Sequence, residues 1–121
     1  MVKNLKSKRA YSPPEPGDGV RFLVDRLWPR GFKKESLKLD AWLKDVAPSD
    51  ALRKVFCHDP AKWPEFKRRY AKELDKKPEA WKPILAAARK GSVALIFAAK
   101  DEEHNNAVAL AEYLKTKVGK K

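Results

Sequence analysis

A single cysteine, Cys57, stands in a chain of 121 residues, so no intrachain disulfide can form and the fold must rest on a packed core. Such sparing use of thiols fits a reducing compartment. No apolar run is long enough to span a bilayer, and the opening MVKNLKSKRA lacks the hydrophobic core of a signal segment. A cytoplasmic protein with no membrane partner is expected. Internal repeats and low-complexity tracts are absent, and the length leaves room for one core but hardly for two. Residues 1–121 are read as a single domain with 1–7 and 116–121 as frayed basic ends. Acidic residues are short in supply: 16 against 28 basic, a net charge of +12. Residues 61–90 hold ten Lys or Arg against four Asp or Glu, half of that excess. A surface of this sign attracts nucleic acid, anionic metabolites or acidic partners, and it also serves plain solubility.

Apolar residues make up 43% of the chain, enough for a packed core and against global disorder. A weak strand is expected near 2–5 or 9–11. SPPEPGDG (12–19) is a loop, because three prolines and two glycines hold no regular ladder. VRFLVDRLW (20–28) reads as a strand, apolar on both faces at Phe22, Leu23 and Val24, and ended by Pro29 and Gly31. Residues 32–48 carry an irregular pattern of Leu37, Leu39, Trp42, Leu43 and Val46, read as a short helical turn. Ser49 or Asp50 caps a short helix through Val55 and Phe56. Asp59-Pro60 opens the next helix, along which Trp63, Phe66, Tyr70 and Leu74 recur at spacings of three and four. Another helix covers about 79–90, stopped by Gly91, with Pro83 kinking it or marking its true start. SVALIFAA (92–99) is the best strand, read as central and parallel. Asp101 is expected to cap a last helix over 102–117 with Ala107, Leu110, Leu114 and Val118 inward. The expected fold is α/β: one compact domain with a small, mainly parallel sheet flanked by helices.

In such folds ligands collect at the carboxyl ends of the strands. Two loops qualify, VDRLWPRG after the first good strand and AKDEEHNNA after the last. If those strands are parallel neighbours, the loops share one edge of the sheet. Arg26 and Arg30 offer forked donors for phosphate or carboxylate oxygens, and Lys100 adds a point charge. His104, placed by this reading in the first turn of the last helix, is a candidate proton acceptor. Asp25 is a candidate base, or a partner that orients His104 or an arginine. Trp28 offers an apolar wall, and Asp101, Glu102 and Glu103 suit a helix start. His58 is a further candidate ligand residue. Cys57 beside it invites a nucleophile reading, which its place behind Val55-Phe56 on a packed helix argues against. His58, Asp59, His104 and Asp25 come nearest to a metal set, but no short spacing joins them, so no metal is expected.

YSPPEPGDGVRFLVDRLWPRG, HDPAKWPEFKRRYAKEL and KDEEHNNAVAL, in this order, resemble the YeaO-like family of small bacterial and archaeal proteins, domain of unknown function 488. The resemblance runs from about Lys8 to Leu114. It implies a small α/β domain and names neither an activity nor a cofactor. It also implies recurrent polar positions at Asp25, Arg26, Trp28, Pro29, Arg30, Gly31, His58, Asp59, Pro60, Asp101, Glu103, His104 and Asn105. The family's last motif often reads Glu-His-Asn-His, whereas Asn106 stands in the fourth place here and removes a second histidine. More distant relatives carry Cys-His-Arg near 103–105, so any thiol chemistry they have does not carry over to Glu103-His104-Asn105.

Two functions compete. One is a pocket for a small anionic ligand, phosphorylated or nucleotide-like, with Arg26, Arg30, Lys100, Trp28, His58 and Asn105 binding and with His104 and Asp25 handling a proton. The other is a nucleic-acid-binding module using the basic face of residues 62–77, chiefly Lys67, Arg68, Arg69 and Lys72, although no recognised reader motif is present.

Overall fold

Parallel pairing on both sides of one strand organises the molecule. The structure, a computed structural model, describes residues 5–56 and 59–118. Its strands are β1 (Leu5–Arg9), β2 (Val20–Leu23), β3 (Ala41–Trp42) and β4 (Val93–Phe97). They form one sheet in the order β1-β4-β2-β3, every pairing parallel. β4 therefore sits inside, as its unbroken apolar sequence requires, and all five of its residues are buried. The helices are α1 (Lys34–Leu37), α2 (Asp50–Phe56), α3 (Trp63–Asp75), α4 (Pro78–Lys90) and α5 (Asn106–Val118).

Alternation along the strands builds two cores. Val93, Leu95 and Phe97 face the larger one with Phe22, Val24, Phe66, Tyr70, Leu74, Ile84, Leu110 and Leu114. Ala94 and Ile96 face a smaller one with Leu23 and Leu37, closed by Trp28, Phe32, Leu39 and Trp42. The segment that follows β2 is thus the lid of the second core.

Several expectations need correction. The 20–28 strand stops at Leu23, because Asp25 takes over the ladder, as described below. Residues 32–48 hold more than a helical turn: α1 is followed by β3, which the irregular pattern concealed because two residues are too few to show a period. Residues 5–7 and 116–118, placed among the frayed ends, belong to β1 and α5. β1 is anchored by its ladder to β4 and by Lys6 and Lys8. The last helix starts at Asn106, not 102. Pro83 leaves α4 unbroken, the helix starting at Pro78.

Behind the amino ends of the strands lies a buried charge cluster. Asp18 is fully buried and accepts from Arg21 Nη1 at 2.6 Å, Lys8 Nζ at 2.9 Å and the Glu15 N–H at 3.0 Å, with Lys6 Nζ at 3.1 Å. Burial alone would raise its pKa. The bonds from Lys8, Glu15, Lys6 and Arg21 outweigh burial and hold the carboxyl well below the usual range. A depressed carboxylate pKa stabilises the fold above the unfolded value near 3.8, and that contribution is lost as pH falls toward the folded value. Asp18→Asn is expected to cost about 3 kcal/mol at neutral pH. The variant should also lose less further stability than wild type as urea melts are moved from pH 5 to pH 2.

Gly19, next in the chain, has φ +68° and ψ −134°, a region open essentially to glycine alone. A Cβ there would lie 2.1 Å from the Ser92 carbonyl oxygen. Gly19→Ala should lower unfolding free energy in denaturant by about 3 kcal/mol or more, from strain and backbone clash together.

Candidate functional site

The carboxyl ends of β2 and β4 meet through side chains. Val24 N–H still donates to Ile96 O at 3.1 Å, as a parallel ladder demands. The next rung would join Ala98 N–H to Val24 C=O. Instead Ala98 N–H donates to Asp25 Oδ2 at 2.8 Å, and Val24 C=O accepts from Asn106 Nδ2 at 3.0 Å. Asn106 Nδ2 also donates to Asp25 Oδ1 at 3.1 Å. One backbone rung has become an Asp–Asn bridge, so the strand ends part with both groups of that rung still paired.

Asn105 sets Asn106 in place. Its Oδ1 accepts Val108 N–H at 2.9 Å and its carbonyl takes Ala109 N–H at 3.1 Å, which makes it the N-cap of α5. Asp101 caps a tight turn ahead of the helix by accepting the Glu103 and His104 N–H groups at 2.9 and 3.1 Å. Those bonds, that from Glu103 first, hold its carboxyl below the usual range. His104 consequently lies before α5 rather than in its first turn.

Between the parted strands, α2 and the loop after β2 lies a cleft of about 640 Å³. Asp25, Asn105 and Asn106 line it with Ala98 and Ala99; Trp28, Pro29, Phe56 and Phe66 supply apolar walls; Arg26, Arg30, Arg53 and Lys54 supply positive charge. Arg26 Nε and Arg53 Nη1 stand 3.6 and 3.3 Å from the same oxygen of Asp50. Tyr11 and Leu27, the exposed large hydrophobic residues, lie at the same opening. The Tyr11 hydroxyl donates to Arg30 O at 3.3 Å.

The expected residues therefore divide. Asp25, Arg26, Trp28, Arg30 and Asn105 come together in the cleft. Trp28 is also structural: its indole N–H donates to Phe32 O at 2.8 Å and its ring meets Trp42 edge-on at 5.3 Å. Lys100 is exposed and does not line the cleft. Nor does His104, whose Nδ1 lies 3.0 Å from Asp101 Oδ2 and whose ring stands edge-on to Trp63 at 5.3 Å. Cys57 and His58 lie outside the described residues. On the basic face of α3, Lys67 pairs with Glu112 and Arg69 with Glu65, while Arg68 and Lys72 are exposed. No group of three or more His, Cys, Asp or Glu among the described residues is arranged to hold a metal ion. Sequence reading missed Asp50, Arg53, Lys54 and Asn106. The first three are ordinary charges on a short helix, and nothing local tells which way that helix turns.

Burial pushes the Asp25 carboxyl above its ordinary 3.8, against the pull of the Ala98 N–H, Asn106 and the Arg53 charge. A raised carboxyl pKa favours the fold below the unfolded value, and the advantage is lost as pH rises through the folded value. Carboxyl-carbon NMR titration should find Asp25 titrating above 3.8 and Asp18 below it, opposite shifts within one molecule.

A family profile described as the inactive DUF488-N3 subclade matches residues 4–121. The chain is 41% identical over 113 residues to the uncharacterized protein YeaO of Escherichia coli K12, covering 93% of this chain and 98% of that one. It is 43% identical over 76 residues to the uncharacterized protein Rv3073c of Mycobacterium tuberculosis H37Rv, covering 61% of this chain and 64% of that one. No solved structure matches. No helix among the described residues is long and apolar enough to cross a membrane.

Proposed function

The chain belongs to the YeaO-like DUF488 family, and we propose that its cleft binds a small anionic molecule, phosphorylated or nucleotide-like, without turning it over. The observation that carries this reading is the convergence of Arg26 and Arg53 on a single oxygen of Asp50. Two guanidinium groups aimed at one oxygen make a seat for an anion. The Asp50 side chain is 69% exposed, and an exposed ion pair is worth at most about 1 kcal/mol, so a dianion displaces it cheaply. Arg30 and Lys54 add charge.

Binding without turnover agrees with the word inactive in the subclade's description and with the separation of the two proton-handling candidates, Asp25 inside the cleft lining and His104 outside it. The nucleic-acid reading is weaker, because Lys67 and Arg69 already neutralise acids of this chain. It would require binding to DNA or RNA that falls steeply with salt.

Calorimetric titration with inorganic pyrophosphate tests the cleft. Arg26→Gln and Arg53→Gln should each weaken binding about tenfold, the size of one charged hydrogen bond, and Asp50→Asn should strengthen it. Equal affinity in wild type and both arginine variants, or none in wild type, would refute the reading.

A further inference from the structure

The cleft is polarised between its two ends. At the inner end the Asp25 carboxylate is partly buried, with one bond to each oxygen, from Ala98 N–H and from Asn106. A carboxylate oxygen accepts two hydrogen bonds, so each still has room for one more. At the outer end the Arg26 and Arg53 side chains are 43% and 49% exposed. Trp28, Phe56 and Phe66 line the space with them.

An anion alone satisfies one end of this arrangement and leaves the open acceptor positions of Asp25 at the other unused. A ligand that satisfies both carries hydrogen-bond donors opposite its anionic group. Ammonium donors are disfavoured, since the lining holds four cations, Arg26, Arg30, Arg53 and Lys54, against two carboxylates, Asp25 and Asp50. Neutral hydroxyls carry no such penalty. They suit the polar inner end, and the carbon faces of a sugar suit the apolar walls. Resting on the anion-binding reading above, we infer that the cleft takes a hydroxyl-bearing phosphate ester, its hydroxyls donating to Asp25 and its phosphate seated on Arg26 and Arg53. Asp25 is then the residue that distinguishes sugar phosphates from simple alkyl phosphates. A volume of about 640 Å³ admits either a free sugar phosphate or a mononucleotide, which share this chemistry.

Titration of the full chain with pentyl phosphate, ribose 5-phosphate, 2-deoxyribose 5-phosphate and adenosine 5′-monophosphate tests it. Pentyl phosphate and ribose 5-phosphate carry the same anion and differ in donors. Ribose 5-phosphate should bind about tenfold tighter than pentyl phosphate, with the deoxy sugar between them. Asp25→Asn should lower the ratio of ribose 5-phosphate to pentyl phosphate affinity toward one, and that ratio, read within the variant, is the test. Pentyl phosphate binding as tightly as ribose 5-phosphate to wild type overturns the inference and leaves anion binding standing, and it needs no variant that must fold. No binding of any phosphate, pyrophosphate included, removes both readings together. Adenosine 5′-monophosphate exceeding ribose 5-phosphate marks a nucleotide as the source, with Tyr11 and Leu27 placed to meet the base. Equal affinities mark a sugar phosphate.

Discussion

The Asp25–Asn106 bridge is the contact on which the site depends. A parallel sheet closes its ladder rung by rung, and a closed rung at this point would bring β2 and β4 together where the cleft now begins. Replacing that rung by two side chains keeps both of its backbone groups, Ala98 N–H and Val24 C=O, bonded while the chains diverge. The same bridge ties the first residue of α5 to the end of β2.

The price of this arrangement is a partly buried carboxylate, and the surroundings divide its cost. Three hydrogen-bonding or charged groups oppose burial without cancelling it, so Asp25 remains harder to ionise than a free aspartate. Asp18 is the converse case, buried more completely yet easier to ionise, because two lysines and an arginine converge on it. One acid pins β1 and β2 behind the sheet's amino ends; the other opens its carboxyl ends. Polar residues near both ends of β2 thus have opposite electrostatic characters for reasons of local geometry.

Much of the framework was legible in the chain. The continuous apolar run of β4 and the three-and-four spacing in α3 each reflect a local pattern. VDRLWPRG was legible as an unusual strand ending, and the parallel neighbours β2 and β4 do bring it beside the loop after β4. The start of α5 was misread because Asp101 and Asn105 are both good caps. Their competition is decided by Asn106 reaching Val24, a contact 82 residues apart in the chain. β3 was missed because its strand character comes from pairing with β2, not from its own two residues.

By itself the sequence determined the class of fold, the central strand, the main helices and which loop carries the arginines, since these follow from periodicity and from the chemistry of single residues. Tertiary structure alone decided which charges meet. It brought Arg26 to Asp50, left His104 on Trp63 rather than in the cleft, and joined Asp25 to Asn106. Those choices depend on distances between segments far apart in the chain, set by how helices pack on a sheet, and no local pattern encodes them.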